Sequence, residues 1–213
     1  MRAFDPDCQR CSRISAYLLE VRTRYPDYHA RPVPAFGAGK PQLLIVGLAP
    51  GLHGANATGR PFTGDFAGIL LYQTLYRYGF SNQATATDAA DGLRLHNCRI
   101  TNAVKCLPPD NKPTGEEINN CNDYLRAELN GFGAGLIILA LGRIAHNAVL
   151  KALGSRQADY PFAHGHSHQL DNRCWLVDSY HCSRYNTQTR RLTEKMFHEV
   201  FDTILELQAK TGN

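Results

Sequence analysis

Residues Gln42–Asp65, QLLIVGLAPGLHGANATGRPFTGD, decide how this chain folds. The first five residues form a short apolar run bounded by Pro41 and Gly47, which reads as a buried strand. The next stretch packs five glycines and two prolines into the twenty residues Val46–Asp65. So bare a backbone reads as a loop that must turn tightly or approach a ligand closely. A helix follows through LLYQTLYRYG and stops near Gly79. Strand, glycine loop and helix make the opening of an α/β unit.

The rest of the chain repeats that grammar. CRITNAVK (98–105) reads as a strand. In CLPPDNKPTGEE, Thr114 and Glu117 form a capping-box pattern that starts a helix. Ile118, Cys121, Leu125 and Leu129 share one face of that helix, so Cys121 is expected to point inward. GLIILALG is a strand stopped by Gly142, and the helix RIAHNAVLKAL ends at Gly154. Residues 162–170 and 174–178 are candidate strands, and a last helix is expected near 193–210. Before the first strand lie a helix in ISAYLLEVRTRY and a Pro- and Gly-rich connector, residues 30–41. The polar segment 81–97 reads as an exposed loop. Alternating apolar strands and helices predict an α/β fold, a three-layer α/β/α arrangement around a mostly parallel sheet. The whole chain, 1–213, is read as a single domain.

The composition bounds the function. With 213 residues, 43% hydrophobic and 20% charged, the chain can bury a real core. No run approaches the ~20 apolar residues of a membrane span. The start, MRAFDPDCQR, lacks the apolar segment of a signal peptide, so a cytoplasmic protein is expected. A net charge of +4 suits a polyanionic partner without requiring one. Seven cysteines without a secretion signal point to metal or cluster ligation rather than a disulfide framework.

In parallel sheets, ligands sit beyond the carboxyl ends of the strands. Three loops follow strands here, residues 47–65, 106–113 and 179–189, and they should gather at one edge. The first loop lacks the Gly-Lys-Ser/Thr ending of a P-loop and the Gly-x-Gly-x-x-Gly spacing of a dinucleotide site. Its tail, GRPFTGD, offers the Phe62 ring to a planar ligand and sets Asp65 at a helix start. The plain alternatives are a core ring for Phe62 and a helix cap for Asp65.

VGLAPGLHGANATGRPFTGD resembles the first signature of the uracil-DNA glycosylase superfamily. Leu48 after the first glycine, and Asp65 at the end, are similar to the type B (family 5) enzymes rather than the iron–sulfur type A (family 4) enzymes. The second signature, normally His-Pro-Ser, stands here as SYHCSRYNTQTRRLT (179–193), with Cys182 in place of the proline. The resemblance runs from the first CxxC to that segment. It implies a hydrolase that releases uracil, and other deaminated bases, from DNA and leaves an abasic site. It also implies a nucleoid-associated monomer.

The resemblance carries roles onto particular residues. Phe62 stacks on an extruded base. His181 points a ring N–H at the uracil oxygen that gains charge. Backbone groups of Gly47, Leu48, Ala49 and Gly51 border the base. Asp65 activates water or stabilises the sugar cation. Asn111, in PPDNKPT, resembles a type B active-site asparagine. Asn102 matches the type A uracil reader and ranks below Asn111, since a strand asparagine can equally be a buried bonded amide. Ser183 and Arg184, with Tyr185 beside them, would meet the DNA backbone or groove. Cys8, Cys11, Cys106 and Cys121 match a cluster-ligand set. Spacing alone allows [4Fe–4S] or zinc, and the resemblance favours a structural cluster held partly by the N-terminal segment. Cys98, Cys174 and Cys182 read as small, partly buried residues. His164, His166 and His168 alternate and read as exposed edge-strand residues, with a zinc-dependent hydrolase as the rival they would support. A second rival is a binding protein of the same fold whose chemistry has been lost.

Overall fold

The computed structural model describes residues 4–170 and 174–211. Helix α1 (Ser12–Arg24) precedes a two-residue strand β1 (Phe36–Gly37) and the buried strand β2 (Leu43–Gly47). A single turn, α2 (Ala55–Thr58), lies inside the glycine loop, and α3 (Phe66–Arg77) follows it. Then come β3 (Cys98–Asn102), α4 (Gly115–Asn130), β4 (Leu136–Leu141) and α5 (Arg143–Leu153). The chain finishes with β5 (Ser167–Leu170), β6 (Cys174–Ser179), the short α6 (Arg184–Gln188) and α7 (Glu194–Thr211).

The six strands form one sheet in the order β1-β3-β2-β4-β6-β5. The four inner strands are parallel, and the two edges pair antiparallel. Alternation of side chains splits the core into two layers. Leu43, Ile45, Ile137 and Leu139 pack beneath α3 and α7. Leu44, Val46, Ile138 and Ala140 pack beneath α4 and α5. The predicted three-layer α/β/α arrangement is therefore observed. A third apolar cluster joins α1 to Val104, Leu107 and Tyr124.

The order of crossovers locates the site. β3 lies on one side of β2, while β4 and β6 lie on the other. The chain thus changes direction around β2, where strand-end loops diverge and leave a crevice. The parallel register sets Gly47 beside Asn102 and Leu141 beside Ser179, so these strands end level with one another.

Three expectations are corrected. The connector 30–41 contains β1, too short to show periodicity. The candidate strand 162–170 is a strand only from Ser167, because Gly165 adopts φ +78° in a turn. The segment 81–97 is not a free exposed loop: Ser81 pairs with Leu95, and Leu93 is buried. Its Asp91 carboxylate grips Arg60 of the glycine loop through both guanidinium nitrogens, at 2.9 and 2.6 Å. That charge-assisted bond holds the Asp91 carboxyl well below the usual range.

Among the described residues no helix is long and apolar enough to cross a membrane.

Candidate active site

The three loops expected to gather do gather. They border a cleft of about 510 Å³ lined by Leu48, Ala49, Gly51, Phe62 and Asp65 from the first loop. Asn102 and Asn111 come from the β3 end and its loop; His181, Ser183 and Arg184 come from the loop after β6. A fourth segment, from Leu141 at the end of β4 through Gly142 to Ile144 in the first turn of α5, completes the wall. It was not singled out in the sequence, although Gly142 ends a parallel strand and obeys the same rule.

The glycines of the first loop have separate reasons. A Cβ on Gly47 would stand 2.4 Å from Asn102 Oδ1 and 2.7 Å from the Phe62 ring. Gly47 lines no part of the cleft itself; it lets those two side chains in. A Cβ on Gly51 would lie 2.6 Å from Asp65 Oδ1, and one on Gly54 would lie 1.9 Å from the same atom. The loop is bare because it wraps a carboxylate. Gly54 escaped the sequence reading because nothing local to it reveals a partner eleven residues away.

Phe62 is both a core ring and a cleft wall. It is buried, yet its backbone sits at φ +55°, a conformation a bulky residue rarely adopts. The surroundings enforce it. Tyr72 donates a hydrogen bond to the Pro61 carbonyl at 2.7 Å, and Arg60 Nε donates to Thr63 Oγ1 at 2.7 Å. Gly68 of α3 lies so close that a Cβ there would meet the Phe62 carbonyl at 1.9 Å. The Phe62 ring faces that of His181 at 5.9 Å, 27° from parallel.

Asp65 occupies the cap position of α3 but makes no capping bond there. Its Oδ2 instead accepts from the Ala55 N–H at 3.1 Å. Burial raises its carboxyl above the usual range, and that single N–H opposes the shift. His181 shows the complementary effect: burial lowers its imidazole to about 4, so it is neutral at physiological pH. Its carbonyl accepts from Asn186 Nδ2 at 2.8 Å, which fixes the loop. Cys182 is fully buried in the core, its thiol pushed up to about 12 by desolvation.

The two asparagines differ. Asn102 is 3% exposed, and its Oδ1 has no hydrogen-bond partner among the described residues. Asn111 is exposed at the rim with φ +56°. The orphaned amide oxygen of Asn102 distinguishes it from Asn111. Arg184 is exposed and its guanidinium lies 4.9 Å from the Phe66 ring. Ser183 caps α6, and Tyr185 is 69% exposed and does not line the cleft.

Cys8, Cys11, Cys106 and Cys121 converge on one small cavity beside α1. Cys121 Sγ accepts from the Lys105 N–H at 3.3 Å, and Cys11 Sγ from Asn120 Nδ2 at 3.7 Å. All seven cysteines are unbridged, and Cys98, Cys174 and Cys182 are buried more fully than expected.

The histidine expectation needs correction. Only His168 lies on the edge strand; His164 and His166 precede it in a turn. His168 is partly buried and joins His146 and Asp178. His146 Nδ1 lies 2.7 Å from Asp178 Oδ1, and its Nε2 lies 2.9 Å from the Tyr160 carbonyl. His168 Nε2 and Asp178 Oδ2, 3.5 Å apart, are buried with no hydrogen-bond partner among the described residues, and the group lines none of the 510 Å³ cleft.

Residues 34–205 match the model of the Uracil DNA glycosylase superfamily. This chain belongs to that superfamily. It is 45% identical over 198 residues to the Type-5 uracil-DNA glycosylase of Thermus thermophilus, covering 91% of this chain and 90% of that one. It is 42% identical over 202 residues to the Type-5 uracil-DNA glycosylase of Mycobacterium bovis, covering 91% and 75%. The Type-4 uracil-DNA glycosylase of Archaeoglobus fulgidus is more distant, 35% identical over 139 residues, covering 65% and 56%. The type B resemblance seen in the two signatures thus extends over the chain.

Proposed function

We propose that this chain is a monofunctional uracil-DNA glycosylase of base-excision repair, acting as one domain. The observation that carries the reading is a desolvated carboxylate and a neutral imidazole, Asp65 and His181, lining one cleft with a fixed aromatic ring. The relatives named above support the substrate.

The reaction breaks an N-glycosidic bond, so negative charge grows on the leaving base and positive charge on the sugar. The base must first leave the stack. Phe62, held at an unfavourable φ by its neighbours, supplies a rigid stacking face. Asn102 carries an unsatisfied amide oxygen, suited to an edge N–H of the base. Neutral His181 donates a ring N–H where charge develops; such a donor is worth about 10²–10³ in rate. Asp65 activates the attacking water or offsets the sugar charge. Asn111, Ser183 and Arg184 lie at the rim, where the strand passes. Apolar Leu48 supports tolerance of other deaminated bases, such as hypoxanthine.

The four converging thiols are the donor set of a [4Fe–4S] cluster. Cys8, Cys11, Cys106 and Cys121 would hold the cluster, which supplies structure and no redox step.

The test is base release from a uracil-containing duplex, read by alkaline strand scission, with Asp65→Ala and His181→Ala beside the wild type. Scission by the wild type and its loss in both variants supports the reading. Absence of release from uracil, hypoxanthine and mismatched thymine would overturn it in favour of a binding protein.

A further inference from the structure

Side chains from three elements meet beneath the far edge of the sheet. By the alternation of a strand, Asp178 shares the face of β6 that carries Cys174 and Leu176 towards α5. In the β5–β6 register His168 stands opposite Leu176, so its ring falls on the same face. His146 of α5 completes the group, and one ligating atom from each residue lies within 4.8 Å of the other two. The side chains of His146 and Asp178 are 1% and 0% exposed, and that of His168 is 12% exposed.

The hydrogen bonds of this group do not close. The Tyr160 carbonyl can only accept, so His146 Nε2, 2.9 Å away, carries a proton. His146 Nδ1 then faces Asp178 Oδ1 at 2.7 Å. A bare nitrogen lone pair against a carboxylate oxygen repels, so that contact needs a proton or a metal ion between the two atoms. A proton would satisfy Oδ1 alone. It would leave Asp178 Oδ2 and His168 Nε2, 3.5 Å apart, without hydrogen-bond partners among the described residues. Buried polar atoms so stranded are costly. One divalent ion would answer both imidazole lone pairs and the carboxylate together. The bond from His146 Nε2 to a backbone carbonyl is also the outer-shell contact that orients a metal-bound imidazole.

We propose that His146 Nδ1, His168 Nε2 and the Asp178 carboxylate bind one Zn²⁺ ion. Two imidazoles and a carboxylate are donors that suit zinc. Donors ~2.0–2.2 Å from a tetrahedral zinc stand about 3.3 Å from one another. The 2.7 and 3.5 Å separations bracket that spacing. The exposed turn at Gly165 and His166, next to His168, gives the ion a way in. Its role is structural. The three ligands line none of the 510 Å³ cleft, and the ion pins α5 and the edge strand β5 to the end of β6, three residues before His181. The inference does not rest on the glycosylase reading.

The test uses the full chain, purified without oxygen and without an affinity tag, with Zn²⁺ alone as the probe. X-ray absorption at the zinc edge identifies the neighbours of the bound ion, and competition with a chromophoric chelator gives its affinity. About one zinc per chain is expected, surrounded by nitrogen and oxygen at ~2.0–2.2 Å, with no sulfur at ~2.3 Å. Affinity is expected to fall at least about 100-fold in His168→Gln and in Asp178→Asn, more than loss of an outer-shell partner costs. Added Zn²⁺ is expected to raise the Tm of the wild type and to leave that of His168→Gln unmoved. Should a variant fail to fold, the zinc-edge spectrum of the wild type decides. A sulfur shell would overturn the site and place the ion on the cysteines. Absence of retained zinc and of any Tm response would overturn it in favour of a proton-sharing triad. Unchanged zinc affinity in folded His168→Gln would overturn it as well. Base release by these proteins bears only on the glycosylase reading.

Discussion

Asp65 carries a cost that its position explains. Burial raises its carboxyl, so the folded state holds that proton more tightly than the unfolded chain does. The contribution favours folding at low pH and is lost as pH rises through the folded value. At neutral pH the ionised group is a net burden. Asp65→Asn is therefore expected to unfold about 1 kcal/mol later at pH 7 and to show no gain below pH ~3, while base release falls at least ~10²-fold. Denaturant titration at the two pH values checks this; equal gains at both would contradict the linkage. His181 has the opposite sign. Its folded value of about 4 lies below the unfolded ~6.5, so its contribution is complete above ~6.5 and lost as pH falls through about 4. A neutral imidazole also predicts a rate profile with no inflection near pH 6.5, and an acid limb set by Asp65. Gly54→Ala is expected to displace the Asp65 carboxylate, since the added Cβ would lie 1.9 Å from it. A shift of that order costs about 10² in rate. Single-turnover base release with an unchanged circular dichroism spectrum would show it.

Between elements, the Arg60–Asp91 pair matters most. It ties the glycine loop to the 81–97 segment, with side chains only 5% and 8% exposed. Removing one partner strands a buried charge, which typically costs 3–5 kcal/mol. Asp91→Ala is expected to destabilise by about 3 kcal/mol and to slow base release, because Arg60 also holds Thr63 beside Phe62. A loss below about 1 kcal/mol in urea unfolding would show that the pair is not needed. The helix α4 illustrates the reverse case, where local sequence suffices. Thr114 accepts from the Glu117 N–H and Glu117 accepts from the Thr114 N–H, a complete capping box. Glu117 then reaches Arg13 of α1 at 2.8 Å, a contact no local pattern announces.

At the scale of the whole molecule, the four cysteines join distant parts of the chain. Cys8 and Cys11 precede α1, Cys106 follows β3, and Cys121 lies within α4. A cluster there would anchor the N-terminal segment to the loop bearing Asn111. Iron and sulfide at about four per chain are expected in protein purified without oxygen. Cys106→Ser is expected to lose that iron and several degrees of Tm, with base release declining less than in Asp65→Ala. Full iron retention in the variant would remove Cys106 from the ligand set.

The sequence by itself determined the layer order, the strand-end location of the site and the three loops that meet there. Those features depend on hydrophobic period and chain punctuation, which are local. It also picked out Phe62 and Asp65 at the end of a glycine-rich loop, and His181 through the resemblance of its segment to a family signature. Only the tertiary structure decided why the glycines are bare, that Asn102 rather than Asn111 is the buried orphan, and that Asp91 belongs to the site's support. It also separated His168 from His164 and His166, and brought it to His146 and Asp178. Each of these depends on which side chains meet across the fold, and burial and pairing between distant residues leave no periodic trace along the chain.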